Sequence, residues 1–255
     1  MLLYKILPYP IFKKLWGDRH QFGFTPKPDD PEWKIWRQYA FGDFYQKTQT
    51  KGIGDKVGRL SHSVLEQIDF NAKEVIEVGP GIIRHLKYLN KNISCYTICD
   101  LNQEILDFAG KQLSDVQLQW KAIRLRSANQ SGLPVENESF DVVISFNSLE
   151  HLHPLSEYLV EFNRVLKKGG YLVGGIPCEG GLAWGLGRLL TTRRYVHRKY
   201  RINYDKIICW EHPNFADLII KKLNQNFKQI ILKIHPFSCL PMDFNLMASF
   251  VYRKL

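Results

Sequence analysis

The chain is predicted to be α/β, a doubly wound, mostly parallel seven-stranded sheet with an antiparallel last strand, an N-terminal helical cap and a lid inserted after strand 5. Three observations predict this. Short Val/Ile-rich runs alternate with segments of helical period between Glu74 and Pro177, the pattern of right-handed strand–helix–strand crossovers. A glycine pair, Gly79 and Gly81, follows the first run directly. The last two strand-like runs are joined only by P-F-S-C-L-P-M-D-F, too little for a parallel crossover, so they pair antiparallel.

The elements follow in order. The opening M-L-L-Y-K-I-L-P-Y-P-I-F-K-K-L-W is apolar but broken at Lys5, Pro8 and Pro10, so it is read as a segment packing on the domain or lying at an interface, and not as a signal peptide. Trp33, Trp36, Ala40 and Phe44 recur at helical spacing, as do Val57, Leu60, Val64, Leu65 and Ile68. These make the cap, residues 1–70, and K-T-Q-T-K-G-I-G-D between them reads as a loop through Gly52 and Gly54. The main domain then runs over 71–255. E-V-I-E-V is the first strand, I-I-R-H-L-K-Y-L a helix, C-Y-T-I-C the second strand, the stretch around Ile105, Leu106 and Ala109 a helix, and Leu118 to Leu125 holds a third strand. D-V-V-I-S-F has the apolar run of a central strand covered on both faces. Leu155, Leu159, Phe162 and Leu166 mark the next helix, closed by Lys168-Gly169-Gly170. Y-L-V-G-G-I-P is the fifth strand; residues 178–212, rich in Gly, Arg and Tyr, are the inserted lid. A helix from about Asn214 to Asn226 precedes strands Q-I-I-L-K-I-H and N-L-M-A-S-F-V-Y-R.

Composition narrows the function classes. Across 255 residues, 45% are apolar and 24% charged, which excludes a disordered or fibrous chain. Lys+Arg 35 against Asp+Glu 25 gives +10, favouring phosphates, nucleic acid or acidic headgroups as partners. The five cysteines lack any C-x-x-C pair. They point to no zinc site or disulfide framework and to a reducing, cytoplasmic setting.

V-I-E-V-G-P-G is the sharpest signal, because glycines past a strand's carboxyl end let a ligand approach the backbone. Asp100 ends the next strand, nineteen residues beyond Gly81, where a carboxylate can accept from ribose hydroxyls. A dinucleotide reader would carry G-x-G-x-x-G, but the third position is Arg84. Glu77 would repel a pyrophosphate yet suits a cofactor bearing positive charge; equally, it could tie down the glycine loop through backbone N–H groups. An adenosine-type site without a diphosphate is expected, and an NAD-dependent dehydrogenase is disfavoured.

These residues resemble the class I S-adenosylmethionine-dependent methyltransferases, of Rossmann-like fold. The resemblance covers Val75 to about Pro177, through E-V-G-P-G, Asp100, L-P-V-E-N-E-S-F-D-V-V-I-S-F-N-S-L-E-H-L and R-V-L-K-K-G-G-Y-L-V-G-G-I-P. It implies S-adenosyl-L-methionine as cofactor, with Glu77, Gly79, Pro80 and Gly81 at its methionine end, Asp100 and Leu101 at the ribose, Ala128 and Asn129 at adenine, and Phe146 and Asn147 as further contacts. The family's common Asp-Ala is replaced by Ser127, Ala128 and Asn129, and its third glycine by Ile83.

Methyl displacement at sulfur carries no demand for a metal; positioning supplies most of the acceleration. His151, at the end of the fourth strand, is either the base that deprotonates the acceptor or a structural histidine. In the lid, Arg188, Arg193, Arg194 and Tyr195 head a basic, aromatic run suited to phosphate pairing and stacking, or else to a solvated helix face. The expected activity is methyl transfer to O or N of a small anionic or carbohydrate-linked acceptor. An RNA methyltransferase and a non-catalytic adenosine-binding protein are the alternatives.

Overall fold

The computed structural model describes residues 2–39, 52–71, 73–89, 92–125 and 132–255. Seven strands, β1 Glu74–Val78, β2 Cys95–Asp100, β3 Trp120–Arg124, β4 Phe140–Phe146, β5 Leu166–Pro177, β6 Lys228–His235 and β7 Met247–Arg253, form one sheet in the order β3-β2-β1-β4-β5-β7-β6. Strands β1 to β5 pair parallel; β7 runs antiparallel between β5 and β6, as the short final connection requires. The order reverses between β1 and β4, so the crevice past their carboxyl ends is the ligand position of such sheets.

Both faces are covered, because side chains alternate along each strand. Ile76 and Val78 of β1 point into one core, with Leu155, Leu159 and Phe162 of helix Leu155–Val165 and Ile219 and Leu223 of helix Ala216–Asn226. Val75 faces the other, with Leu106, Ala109 and Leu113 of helix Gln103–Asp115 and with Val64, Leu65 and Ile68. Glu77 shares the face of Val75, an acid pointing toward an apolar layer.

Among the described residues, the helices before the sheet are α1 Tyr9–Trp16, α2 Arg19–Phe22, α3 Pro31–Tyr39 and α4 Gly52–Ser61. The insertion holds three more, Leu182–Leu190, Thr192–Tyr200 and Tyr204–Glu211. In chain order the helices flanking and following β2 are α5 Gln103–Asp115, α6 Leu155–Val165, α7 Leu182–Leu190, α8 Thr192–Tyr200, α9 Tyr204–Glu211 and α10 Ala216–Asn226. Trp36 of α3 is buried with Val196, Ile202, Ile207 and Trp210 of the insertion, and Leu15 and Trp16 of α1 pack with Phe215, Leu182 and Leu189. The first seventy residues therefore divide between two layers: 2–39 join the insertion, whereas the 3₁₀ segment His62–Gln67 after α4 packs on the sheet. The lid is a set of packed helices. Its Gly185 is consumed by packing, since a Cβ there would lie 2.8 Å from Trp16 Nε1.

Several local expectations are corrected. No long helix follows the glycine loop; only Leu86–Tyr88 forms a 3₁₀ turn. Gln112 of α5 explains this, its amide accepting from the Ile83 N–H at 2.9 Å and donating to the Ile83 carbonyl at 3.1 Å, which satisfies that backbone without a helical ladder. Lys168-Gly169-Gly170 lies inside β5, not at a helix stop: α6 ends at Val165, and Leu166 already pairs with Phe140 before a register irregularity. Gly52 and Gly54 belong to α4, and the helical repeat through Ile68 tightens after Ser61 into the 3₁₀ segment. Ala40 and Phe44 lie outside the described residues.

Arg188, expected to hold the acceptor, is instead a structural residue. It is 4% exposed; Nε donates to the Leu15 carbonyl at 2.8 Å, Nη2 to the Lys14 carbonyl at 2.9 Å and Nη1 to Asp205 at 2.9 Å. A cation thus satisfies the last carbonyls of α1 and joins it to α7 and α9. Arg193 closes on the same Asp205 at 2.7 Å from the half-exposed side. The buried cation should matter more. Arg188→Met should lower unfolding stability by about 3 kcal/mol and Arg193→Met by less than about 1 kcal/mol, read from urea midpoints; equal small losses would contradict this assignment.

Candidate active site

The site is built where β1, β2 and β4 end. The chain leaves β1 through two left-handed glycines, Gly79 at φ 70° and Gly81 at φ 52°, with Pro80 between them. Gly79 N–H donates to the Cys99 carbonyl at 2.9 Å, tying the turn to the end of β2. A Cβ on Gly79 would meet Ser148 Oγ at 2.5 Å, whereas one on Gly81 would meet no atom within 4 Å. The first glycine is demanded by the approach of β4, and the second faces open space.

Asp100 sits at the end of β2, half-buried, one oxygen accepting from the Asn102 N–H at 2.8 Å. Burial raises its carboxyl above the usual range, opposed by backbone N–H groups and by the charges of His151 and Arg37. Leu101 packs its side chain against the core. At the end of β4, Phe146 is buried beside the His62 and His85 rings, at 4.6 and 5.1 Å between centroids. Asn147 is exposed, at φ 50°, its N–H donating to the Gly175 carbonyl at 2.8 Å. A non-glycine residue in this conformation is locally strained, and here β4 turns toward the crevice. Ala128 and Asn129 lie outside the described residues.

Only 1% exposed, Glu77 accepts a hydrogen bond from the Tyr96 hydroxyl at 2.7 Å and lies 3.5 Å from His85 Nε2. Burial pushes its carboxyl up to about 8 and holds His85 well below the imidazole range. Burial thus favours the protonated acid within a hydrogen-bonded group whose partners, among the described residues, are the Tyr96 and His85 side chains.

His151 stands at the start of the loop after β4, about a third exposed. Its Nδ1–H donates to the Glu211 carbonyl at 2.6 Å, and its ring meets that of His212 edge-on, with centroids 4.6 Å apart. His212 Nδ1–H donates to Glu179 at 2.5 Å, and Glu179 is wholly buried in an ion pair with Arg19 at 2.9 Å. Glu150, 2% exposed, is pushed up to about 7 by burial. His212 and Glu179 carried no signal in the sequence: 61 and 28 residues beyond His151, they reach it only through the fold.

The insertion's basic run divides. Arg188 and Arg193 are engaged with Asp205, while Arg194 and Tyr195 of α8 line a shallow groove of about 510 Å³ with Leu190, Thr191, Arg198 and Lys199. Lys199 donates to the Tyr195 hydroxyl at 3.0 Å.

Residues 76–174 match the family described as a methyltransferase domain. Over this segment the chain is similar to the class I S-adenosylmethionine-dependent methyltransferases. S-Adenosylmethionine is the cofactor of that family. Among the chain's relatives, the phthiotriol/phenolphthiotriol dimycocerosates methyltransferase of Mycobacterium tuberculosis is 33% identical over 115 residues, 44% of this chain and 40% of that protein. The fatty-acid O-methyltransferase of Mycolicibacterium smegmatis is 31% identical over 140 residues, 51% of this chain and 49% of the relative. The matches thus span less than half the length of these curated relatives. The N-methyltransferase NodS of Bradyrhizobium japonicum, solved with S-adenosyl-L-homocysteine, superposes with TM-score 0.58 at 14% identity, covering 88% of this chain and 99% of NodS, a likeness of fold. Among the described residues, no helix is long and apolar enough to cross a membrane.

The buried acid generates a pH dependence. Because the folded-state value of Glu77 lies above that of an unfolded carboxyl, the native chain binds the extra proton, and stability is full below about pH 4.5 and falls as pH rises toward about 8. Glu77→Gln should flatten that decline in urea unfolding measured between about pH 5 and pH 8. A wild-type slope unchanged by the substitution would mean that Glu77 is ionised in the folded protein.

Proposed function

We propose that this chain methylates an oxygen of an acceptor that combines an anionic group with an apolar portion. The observation that carries the methyl-transfer half is the meeting of the Gly79–Gly81 turn and the Asp100 carboxyl on adjacent strand ends. Side-chain-free space at Gly81 and a half-buried carboxylate with an oxygen beyond the Asn102 bond fit a nucleoside. When bound, S-adenosylmethionine supplies an electrophilic methyl on a positively charged sulfur. Asp100 would accept from the ribose hydroxyls, the glycine turn would take the methionine end against the backbone, and Phe146 and Asn147 would border the reacting edge. Glu150, His151 and His212 converge beside that edge, where an acceptor oxygen would lose its proton.

The acceptor half rests on the insertion. Leu186 and Leu190 of α7 are 46% and 54% exposed, and Leu190 shares its groove with Arg194, Arg198 and Lys199. Apolar surface beside the exposed guanidinium groups of Arg194 and Arg198 suits a carboxylate or phosphate attached to a hydrocarbon chain. The names of the relatives, which include a fatty-acid O-methyltransferase, support the same class over an RNA or a free sugar nucleotide.

Two measurements test this. Asp100→Ala should weaken S-adenosylhomocysteine binding by about 1.5–3 kcal/mol, the worth of charge-assisted hydrogen bonds, with the melting temperature retained; unchanged affinity in calorimetry removes Asp100 from the site. With methyl-labelled cofactor, label should enter the fatty-acid or lipid fraction of a cell extract, and label confined to RNA or to sugar nucleotides would overturn the acceptor class.

A further inference from the structure

Three residues at the end of β4 and the end of α9 form a constellation that methyl transfer alone does not require. One ligand atom from each of Glu150, His151 and His212 lies within 4.8 Å of the others. Donor atoms around a tetrahedral ion stand roughly 3.4 Å apart, so binding requires a small approach of these groups, of which the His151 ring is about a third exposed.

Two features mark this as more than proximity. Glu150 is buried, and its Oε2 has no hydrogen-bond partner, although a buried polar atom is costly without one. Both imidazoles, moreover, use Nδ1–H on an oxygen, His151 on the Glu211 carbonyl and His212 on the Glu179 carboxylate. That fixes the tautomer and leaves the Nε2 lone pair of each ring available. The same outer support, a carboxylate or carbonyl behind each ligating histidine, orients imidazoles in metal centres.

Charge agrees. Glu150, Glu179 and Glu211 stand beside the imidazoles, with Arg19 paired to Glu179, a carboxylate-rich setting that suits a cation. We propose that Glu150, His151 and His212 bind a divalent transition-metal ion of the zinc class, with open positions toward the crevice. Two imidazole nitrogens and one carboxylate are a donor set for Zn²⁺ and its neighbours rather than for Mg²⁺ or Ca²⁺. This deepens the methyl-transfer reading and rests on it for its purpose: an ion there would hold an oxygen acceptor and increase its acidity, His151 then serving as ligand.

The full-length chain, freed of metal by chelator dialysis and of any affinity tag, is titrated with Co²⁺ and then Zn²⁺, and with S-adenosylhomocysteine separately. About one equivalent of Co²⁺ per chain is expected, with visible ligand-field absorption and displacement by Zn²⁺. Glu150→Gln, which keeps the side chain's volume, and His212→Ala should each weaken Co²⁺ by about tenfold or more while S-adenosylhomocysteine still binds. If His212→Ala does not fold, Glu150→Gln decides. Cobalt binding that survives substitution overturns the site. So does a wild-type chain that takes S-adenosylhomocysteine but no Co²⁺, a result that leaves the methyl-transfer reading standing; cobalt binding without S-adenosylhomocysteine binding would sustain the metal site and strike that reading alone.

Discussion

Everything at the open edge of the sheet hangs on the compensation of one buried charge, the carboxylate of Glu179. It lies just past β5 with no exposed surface, where an unpaired carboxylate would be strongly destabilising. Arg19 of α2 meets it from the N-terminal helices and His212 from the end of the insertion. Neither partner lies in the sheet, so neutralising Glu179 pulls two remote parts of the chain onto the strand ends. Arg19 in turn lies over the Phe215 ring at 4.2 Å. The imidazole that faces His151 is therefore positioned by an electrostatic requirement several elements away.

The same economy of buried polar groups recurs on the other side of the crevice. Glu77, Tyr96 and His85 satisfy one another inside an apolar layer, next to His62, which burial holds down to about 4. Burial favours the uncharged forms of this acid and these imidazoles, which lie in one hydrogen-bonded and ring-packed group under the strand ends. On the insertion, Asp205 gathers Arg188 and Arg193. Arg194 and Arg198 stay exposed and line the groove. A basic run that looks uniform in one dimension is sorted by folding into structural and solvent-facing members.

Much of the fold was legible because its signals are local. Val-Val-Ile in β4 needs burial on both faces, Gly79 and Gly81 need a turn, and the brief link between β6 and β7 forbids a parallel crossover. The glycine turn and Asp100 were legible for the same reason, each standing beside a recognisable strand end. What misled were segments whose backbone is satisfied by distant groups. Ile83 takes its hydrogen bonds from Gln112, so a run with helical spacing does not become a helix. Leu166 begins pairing with Phe140, so a glycine pair that resembles a helix stop lies within β5. Arg188 looked like a ligand-binding arginine because nothing near it in the chain reveals that the ends of α1 require a donor.

By itself, the sequence determined the class of the sheet, the direction of its last strands, the glycine turn and the carboxylate that faces it, since these depend on side-chain period, backbone freedom and connection length within a few dozen residues. Only the tertiary structure decided that Glu77 is a buried acid whose carboxyl is raised by burial, that Arg188 closes a helix end, and that Glu150, His151 and His212 come together. Burial and the pairing of charges from remote segments determine those properties, and neither quantity exists until the chain has folded back on itself.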